Sequence, residues 1–133
     1  MEVIVYPDTE ALLVDHLASE LDARGDTATV HTAIPHPRPD KFVTLTRLGG
    51  VKPSIITDAA QIGVECWAAT GKQAHGLAQQ ARGLLHALPG AILDGHTVYR
   101  IDEWAGPANL PDPVSDQSRY TFQLSVHIRG TAA

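Results

Sequence analysis

The segment RYTFQLSVHIRG, Arg119–Gly130, alternates apolar and polar side chains without interruption. Successive side chains of a β-strand point to opposite faces of its sheet. The segment therefore predicts a strand with one buried and one polar face, an arrangement typical of antiparallel sheets. The side chains expected in the core are Tyr120, Phe122, Leu124, Val126 and Ile128.

Two segments have the apolar spacing of amphipathic helices, residues 7–25 and 70–88. The first can be capped by Asp8 or Thr9 and ends at Gly25, a residue that favours helix C-termini. The second begins after Thr70, another suitable cap. Their apolar stripes are expected to pack on the sheet. The second stripe comprises Ala74, Leu77, Ala78, Ala81, Leu84, Leu85 and Leu88.

The remaining segments favour strands and turns. The run 41–48 alternates and is rich in β-branched residues, and 27–34, 54–57, 62–68 and 97–106 are further predicted strands. Residues 1–6 are interpreted as a short strand or an extended lead-in. Residues 49–54 and 58–61 are predicted turns, and 107–118 a proline-rich loop. Consecutive strands between two helices predict an α+β fold, a mainly antiparallel sheet with both helices on one face, in one domain spanning 1–133.

Composition narrows the function classes. The net charge is −5, and the ten Lys and Arg residues are scattered. A protein that reads nucleic-acid sequence needs a clustered basic footprint, so we expect no such partner. No apolar run approaches a membrane span, and the N-terminus does not have the pattern of a signal peptide. The single cysteine, Cys66, lies in an apolar run and is interpreted as a buried, inert thiol.

The motifs of common catalytic and cofactor sites do not occur. The seven histidines lack the tight spacing of metal ligands. Gly71 and Lys72 precede a helix, but Gln73 stands where a phosphate loop needs Ser or Thr. We therefore predict no catalytic, metal or cofactor-binding residues and no cofactor. A small enzyme or ligand-binding protein remains an alternative, because catalytic groups can be distant in sequence.

Surface charge and stiff loops point instead to protein contacts. The polar face of the last strand carries Arg119, His127 and Arg129, side chains that polar interface rims use, although a solvated face is the alternative interpretation. Prolines 35, 37 and 39 stiffen an arm that runs to Leu48, and stiff segments lose less entropy on docking. The arm's predicted interface residues are Arg38, Asp40, Lys41 and Arg47.

We expect Arg38 to meet a carboxylate or carbonyl group across an interface, where its planar guanidinium gives direction. On this hypothesis the double variant Arg38→Glu/Lys41→Glu would stay folded and lose assembly.

The chain resembles the tail terminator proteins of long-tailed bacteriophages, particularly those of actinobacterial phages. Three segments carry the resemblance, and their order and spacing are more specific than any one of them. They are HPRPDKFVTLTRLGG (36–50), VECWAATGKQAHGLAQQARGLLHAL (64–88) and GHTVYRIDEWAGPANLPDPVSDQSRYTFQLSVHIRG (95–130).

The resemblance implies an α+β subunit of a hexameric ring, without reaction or cofactor. Such a ring caps the head-proximal end of the tail tube, stops polymerisation of the tube protein and meets the head-side connector, while DNA passes through its lumen. The implied location is the virion tail, and the host cytoplasm during assembly. A head–tail connector or stopper ring of the neck is the main alternative.

Overall fold

The computed structural model describes residues 2–133. Within them the chain forms two helices and eight strands, which follow one another as β1 (Ile4–Val5), α1 (Thr9–Ala23), β2 (Thr29–His31), β3 (Phe42–Val51), β4 (Thr57–Ala68), α2 (Gly71–His86), β5 (Ile92–Leu93), β6 (His96–Asn109), β7 (Ser118–Arg129) and β8 (Thr131–Ala132).

Six strands form one sheet in the order β2-β3-β4-β7-β6-β5. β2 runs parallel to β3, and the other neighbours are antiparallel. β1 and β8 pair separately as a two-stranded ribbon. The long strand predicted from residues 119–130 lies inside the sheet, between β4 and β6. The predicted α+β class with a mainly antiparallel sheet is confirmed.

Both helices begin and end at sequence signals. The Asp8 carboxylate accepts the Ala11 N–H at 3.2 Å, so Asp8 is the cap of α1 and not Thr9. After α1 the chain reverses at Gly25, whose φ of 75° suits glycine. Thr70 Oγ1 accepts the Gln73 N–H at 3.2 Å and caps α2 as predicted.

The core lies between the helices and one face of the sheet. The alternating apolar side chains of β7 are buried there, Tyr120 only partly, together with apolar residues of both helices. Burying each large side chain contributes about 1.5–3 kcal/mol. The helix residues buried in this cluster are Leu13, Leu17, Leu21, Leu77, Ala78, Ala81 and Leu85, and Leu88, just after α2, joins them.

One predicted turn is wrong and another begins later than predicted, because strands continue into both segments. Residues 58–61 belong to β4, which is one strand with neighbours on both edges that satisfy its backbone groups. Asp58, whose polarity suggested a turn, is buried beside Arg47, whose Nη1 and Nη2 lie 2.7 and 3.0 Å from its carboxylate oxygens. The predicted strand 54–57 contributes only its last residue, Thr57.

β3 continues through Val51, so only residues 52–54 of the predicted turn 49–54 lie in the connection between β3 and β4. A register shift between Arg47 and Gly49 marks a bulge, after which pairing with β4 resumes. Gly50 has a φ of 127°, and a Cβ there would lie 2.1 Å from the Ala59 carbonyl oxygen. The glycine thus permits a close approach of two strands, where the sequence suggested a reversal.

β6 extends through Asn109 into the predicted loop. β5 pairs only with the first residues of β6, so within residues 2–133 the rest of β6 has no strand on its outer side. Pro107 is compatible with this strand because it falls at a register shift, between the paired residues Ala105 and Ala108.

Candidate assembly surface

The sheet face opposite the helices is polar along its middle, and we call it the open face. Gln61 Nε2 donates to Gln123 Oε1 at 3.1 Å across β4 and β7. Arg119 Nη1 lies 3.1 Å from Glu65 Oε2, and the same guanidinium lies over the Trp67 ring at 6.0 Å from its centroid. The charges on this part of the face are therefore already paired.

Phe42 and Trp67 form a second, smaller apolar contact on the open face. Their rings stack with centroids 4.6 Å apart, and both side chains are buried. They lie outside the main core cluster. Offset stacking adds about 0.5–1.5 kcal/mol to the burial of such rings. This contact anchors the beginning of β3 to the end of β4.

A groove of about 370 Å³ crosses the open face at its other end. Four neighbouring strands line it, so it follows the curl of the sheet. Val51 and Trp104 flank it with exposed apolar surface, at 70% and 65% exposure. The indole Nε1–H of Trp104 donates to Ser125 Oγ at 3.0 Å, which fixes the ring's orientation. Large exposed apolar side chains at a groove are typical of contact sites.

The carboxylates beside the groove all have cationic partners. Asp102 accepts from Arg100 Nε at 2.8 Å and lies 3.1 Å from His127 Nε2. The hydrogen bond from Arg100 lowers the pKa of Asp102 below its ordinary value. Glu103 accepts two bonds from Arg82, at 2.6 and 2.7 Å, which likewise lower its pKa. The groove therefore presents little uncompensated negative charge.

A polar network joins the proline arm to the loop between β6 and β7. Arg38 Nη1 lies 2.6 Å from Asp112 Oδ2, and Gln117 Nε2 donates to the Pro39 carbonyl at 2.9 Å. Asp112 also accepts the Val114 N–H at 3.0 Å and the Ser115 hydroxyl at 2.7 Å. These hydrogen bonds, of which the one from the Val114 N–H has the largest effect, lower the pKa of Asp112 to about 2.

This network holds an apolar hairpin tip, which we define as Leu110–Asp116. Leu110 and Val114 are 49% and 80% exposed, and Pro111 and Pro113 are exposed between them. Partly buried hydrogen bonds beneath an exposed apolar tip resemble the pre-organised anchors of protein interfaces.

The seven predicted interface residues do not form one cluster. Arg38 has a carboxylate partner within its own chain, where the sequence predicted one across an interface. Lys41 Nζ lies 2.9 Å from the Asp26 carboxylate. Arg47 forms an ion pair with Asp58 next to the β3 bulge. Arg119 and His127 face the open side in the pairs described above.

The two remaining predicted interface residues are exposed. Arg129 Nη1 lies 3.0 Å from the Tyr99 hydroxyl, and Asp40 lies in the proline arm.

Sequence reasoning missed the exposed groove residues. The sequence pattern assigns Trp104 only to a strand, and Val51 to a turn that in the structure begins after it. An available signal was the composition of residues 104–114, in which apolar side chains and three prolines follow a lone tryptophan without the alternation of a buried strand.

The structure adds little that resembles a reactive centre. No group of three or more His, Cys, Asp or Glu side chains within residues 2–133 could hold a metal ion. Cys66 is buried as expected, and burial raises the pKa of its thiol, which disfavours the reactive thiolate. Over the same residues, neither helix combines the length and apolar character that crossing a bilayer requires.

Among known proteins, a solved structure shares the fold of this chain. No protein-family model and no curated protein matches the chain. Among solved structures, a chain in the virion of a native gene transfer agent particle has a similar structure, with a TM-score of 0.65. The two chains are 18% identical, and the match covers 91% of this chain and 94% of the other. The likeness thus extends over nearly the whole fold.

Proposed function

We propose that this protein is a structural component of a phage-like virion. The observation that carries the proposal is the fold shared, almost end to end, with a chain of a gene transfer agent virion. The sequence resemblance to tail terminators points the same way. On this proposal the protein works by assembling with other virion proteins and catalyses no reaction.

As the specific role within the virion, we propose that the protein acts as a tail terminator. Copies of the chain form a hexameric ring on the head-proximal end of the tail tube, stop its growth and present the opposite side to the head-side connector. A closed ring needs two different surfaces that fit each other, since head-to-tail contacts use unlike patches. The groove and the hairpin tip supply two unlike apolar surfaces on one chain.

The charge of the chain suits a ring through which DNA passes. At a net charge of −5, with seven of its ten Lys and Arg residues in ion pairs among the described residues, the protein offers DNA few free cations. Tight phosphate binding needs several unpaired Lys or Arg side chains together. DNA would therefore slide past this wall.

Electron microscopy of the protein mixed with purified tail tubes tests the role. A terminator caps one end of each tube, and tubes assembled in its presence stop at one length. The matched control is the same mixture without the protein, in which tubes are uncapped and variable. Binding to the head-side connector with uncapped tubes would favour the neck-ring alternative and contradict the terminator role. Caps with a copy number other than six would contradict the hexamer alone.

A further inference from the structure

Two exposed apolar surfaces of the chain are covered by nothing in its own fold. One is the hairpin tip, with Leu110 and Val114 outermost. The other is the groove between Val51 and Trp104. A cavity of about 150 Å³ already holds a benzene molecule, so 370 Å³ has room for several aliphatic side chains. The two surfaces are complementary in shape and polarity, because one is a projecting apolar tip and the other is a groove with apolar sides.

The hairpin tip cannot fill the groove of its own chain. The tip precedes Ser118, where β7 begins, and the groove is lined by Ser125 on the same strand. Seven residues of β-strand span about 23 Å. β7 is paired on both edges along this length, so it does not fold back. A tip that occupies a groove therefore belongs to another molecule.

Charge complementarity identifies that molecule as a second copy. Asp116 of the tip is exposed and makes no ion pair among the described residues. Lys52 follows Val51 at the edge of the groove and is likewise exposed without an ion pair there. The guanidinium of Arg129, two residues beyond His127 on the open face, hydrogen-bonds the Tyr99 hydroxyl and makes no ion pair among the described residues. The tip thus carries surplus negative charge, and the groove's surroundings carry surplus positive charge.

We infer that the hairpin tip of one copy docks into the groove of a second copy. Leu110 and Val114 lie between Val51 and Trp104 of the neighbour, and Asp116 faces Lys52. Because tip and groove are different surfaces, each copy has one of each left to continue the assembly. The inference rests on the proposed function in one respect, that the chain assembles with itself.

Charge exchange tests the pairing. Asp116→Lys and Lys52→Glu should each weaken self-association in sedimentation equilibrium by up to about fivefold, the range of exposed ion pairs. The combined variant should recover most of the loss, because the pair is restored with reversed signs. Asp15→Lys and Lys72→Glu change the net charge equally at exposed sites elsewhere and should have little effect. Equal weakening by these controls, or no recovery in the combined variant, would overturn the inference.

A disulfide between copies tests the geometry. Val51→Cys and Val114→Cys place thiols at exposed positions in a chain whose own cysteine is buried. Mixing the two single variants at high protein concentration under mild oxidation should give a covalent 51–114 dimer. The doubly substituted chain should give a ladder of larger products. Ile92→Cys, also exposed, is the control partner and should not crosslink with Val51→Cys.

The outcomes separate this inference from the proposed function. Capped tubes without the 51–114 crosslink would overturn the inference and leave the terminator role standing. The crosslink in an open helical stack would support the inference and contradict the ring. A chain that never self-associates would overturn the second copy as the occupant.

Discussion

Arg38 Nη1 lies 2.6 Å from Asp112 Oδ2, and this contact joins segments 74 residues apart in the chain. The sequence predicts the arm as a docking element and residues 107–118 as a separate proline-rich loop, but the structure joins one to the other. Arg38→Ala should lower the free energy of unfolding by about 1–3 kcal/mol, between the values for exposed and buried pairs. Urea denaturation measures this. Arg24→Ala, which breaks the exposed pair with Glu20, is the control and should cost under about 1 kcal/mol.

This pairing revises the expectation for the variant Arg38→Glu/Lys41→Glu. Both cations have carboxylate partners within the chain, Asp112 and Asp26, so two attractions become two repulsions. We expect a measurably less stable monomer, where the sequence alone suggested an unaffected one. A thermal midpoint equal to that of the unchanged protein would contradict the structural role of both pairs.

Lowering the pH should reduce the stability that Asp112 contributes to the fold. The pKa of Asp112 is about 2 in the folded chain, below its ordinary value of 3.8. A lowered folded pKa contributes stability that is fully present above pH 3.8 and is lost as the pH falls toward 2. The urea midpoint of the native protein should therefore fall more steeply between pH 4 and 2 than that of Asp112→Asn. Parallel curves for the two proteins would show that Asp112 does not contribute.

Phe122 should be the most sensitive position of β7. Its side chain is buried in the core between helices and sheet, and Phe→Ala changes cost about 3–5 kcal/mol. Phe122→Ala should unfold or become insoluble, as circular dichroism and solubility measure. The next residue supplies the control, since Gln123 is exposed on the open face and Gln123→Ala should change stability by under about 0.5 kcal/mol.

Two glycine-to-alanine substitutions should change the stability of the protein in opposite directions. Gly83 lies in α2 with open space around its missing Cβ, so Gly83→Ala should stabilise the chain by about 0.5–1 kcal/mol. Gly50→Ala should destabilise it, because the new methyl group meets the Ala59 carbonyl oxygen and the backbone φ is positive. Thermal denaturation of both variants measures the difference. A stabilised Gly50→Ala protein would contradict the close approach of β3 and β4.

The two tryptophans should report assembly differently. Trp104 is exposed and Trp67 is buried. If the groove receives a second copy, iodide quenching of Trp104 should fall as the protein concentration rises. The single-tryptophan variant Trp67→Phe isolates that signal, and Trp104→Phe is the control whose quenching should be low at every concentration. Unchanged quenching of Trp104 in assembled protein would place the contact elsewhere.

Local signals predicted the helices and the central strand well. The caps Asp8 and Thr70 act within one helical turn, and the alternation of β7 follows directly from burial of one face. The errors arose where tertiary contacts override local propensity. Asp58 indicates a turn in isolation, yet Arg47, eleven residues away, makes its burial in β4 favourable. Gly50 indicates a turn for the same local reason, whereas it serves a close approach of strands.

The candidate surface was less predictable than the fold. The open-face residues Arg119, His127 and Arg129 were placed correctly by alternation alone. The intrachain partners of Arg38 and Lys41 were not predicted, because a charge in a short segment does not reveal whether its partner belongs to the same chain. The groove depends on four strands meeting at one end of a curled sheet, and that arrangement has no counterpart in any short stretch of sequence.

The bulge in β3 bears on how many copies of the chain the proposed ring could contain. If the tip of one copy docks into the groove of the next, the curl of the sheet between them would help to set the angle through which each copy is turned. Only an angle that divides a full revolution evenly closes the circle, and any other winds a spiral. The extra residue at Leu48 and the tight approach at Gly50 shape that curl. A few backbone torsions beside the groove would thus help to fix the number of copies in the proposed ring.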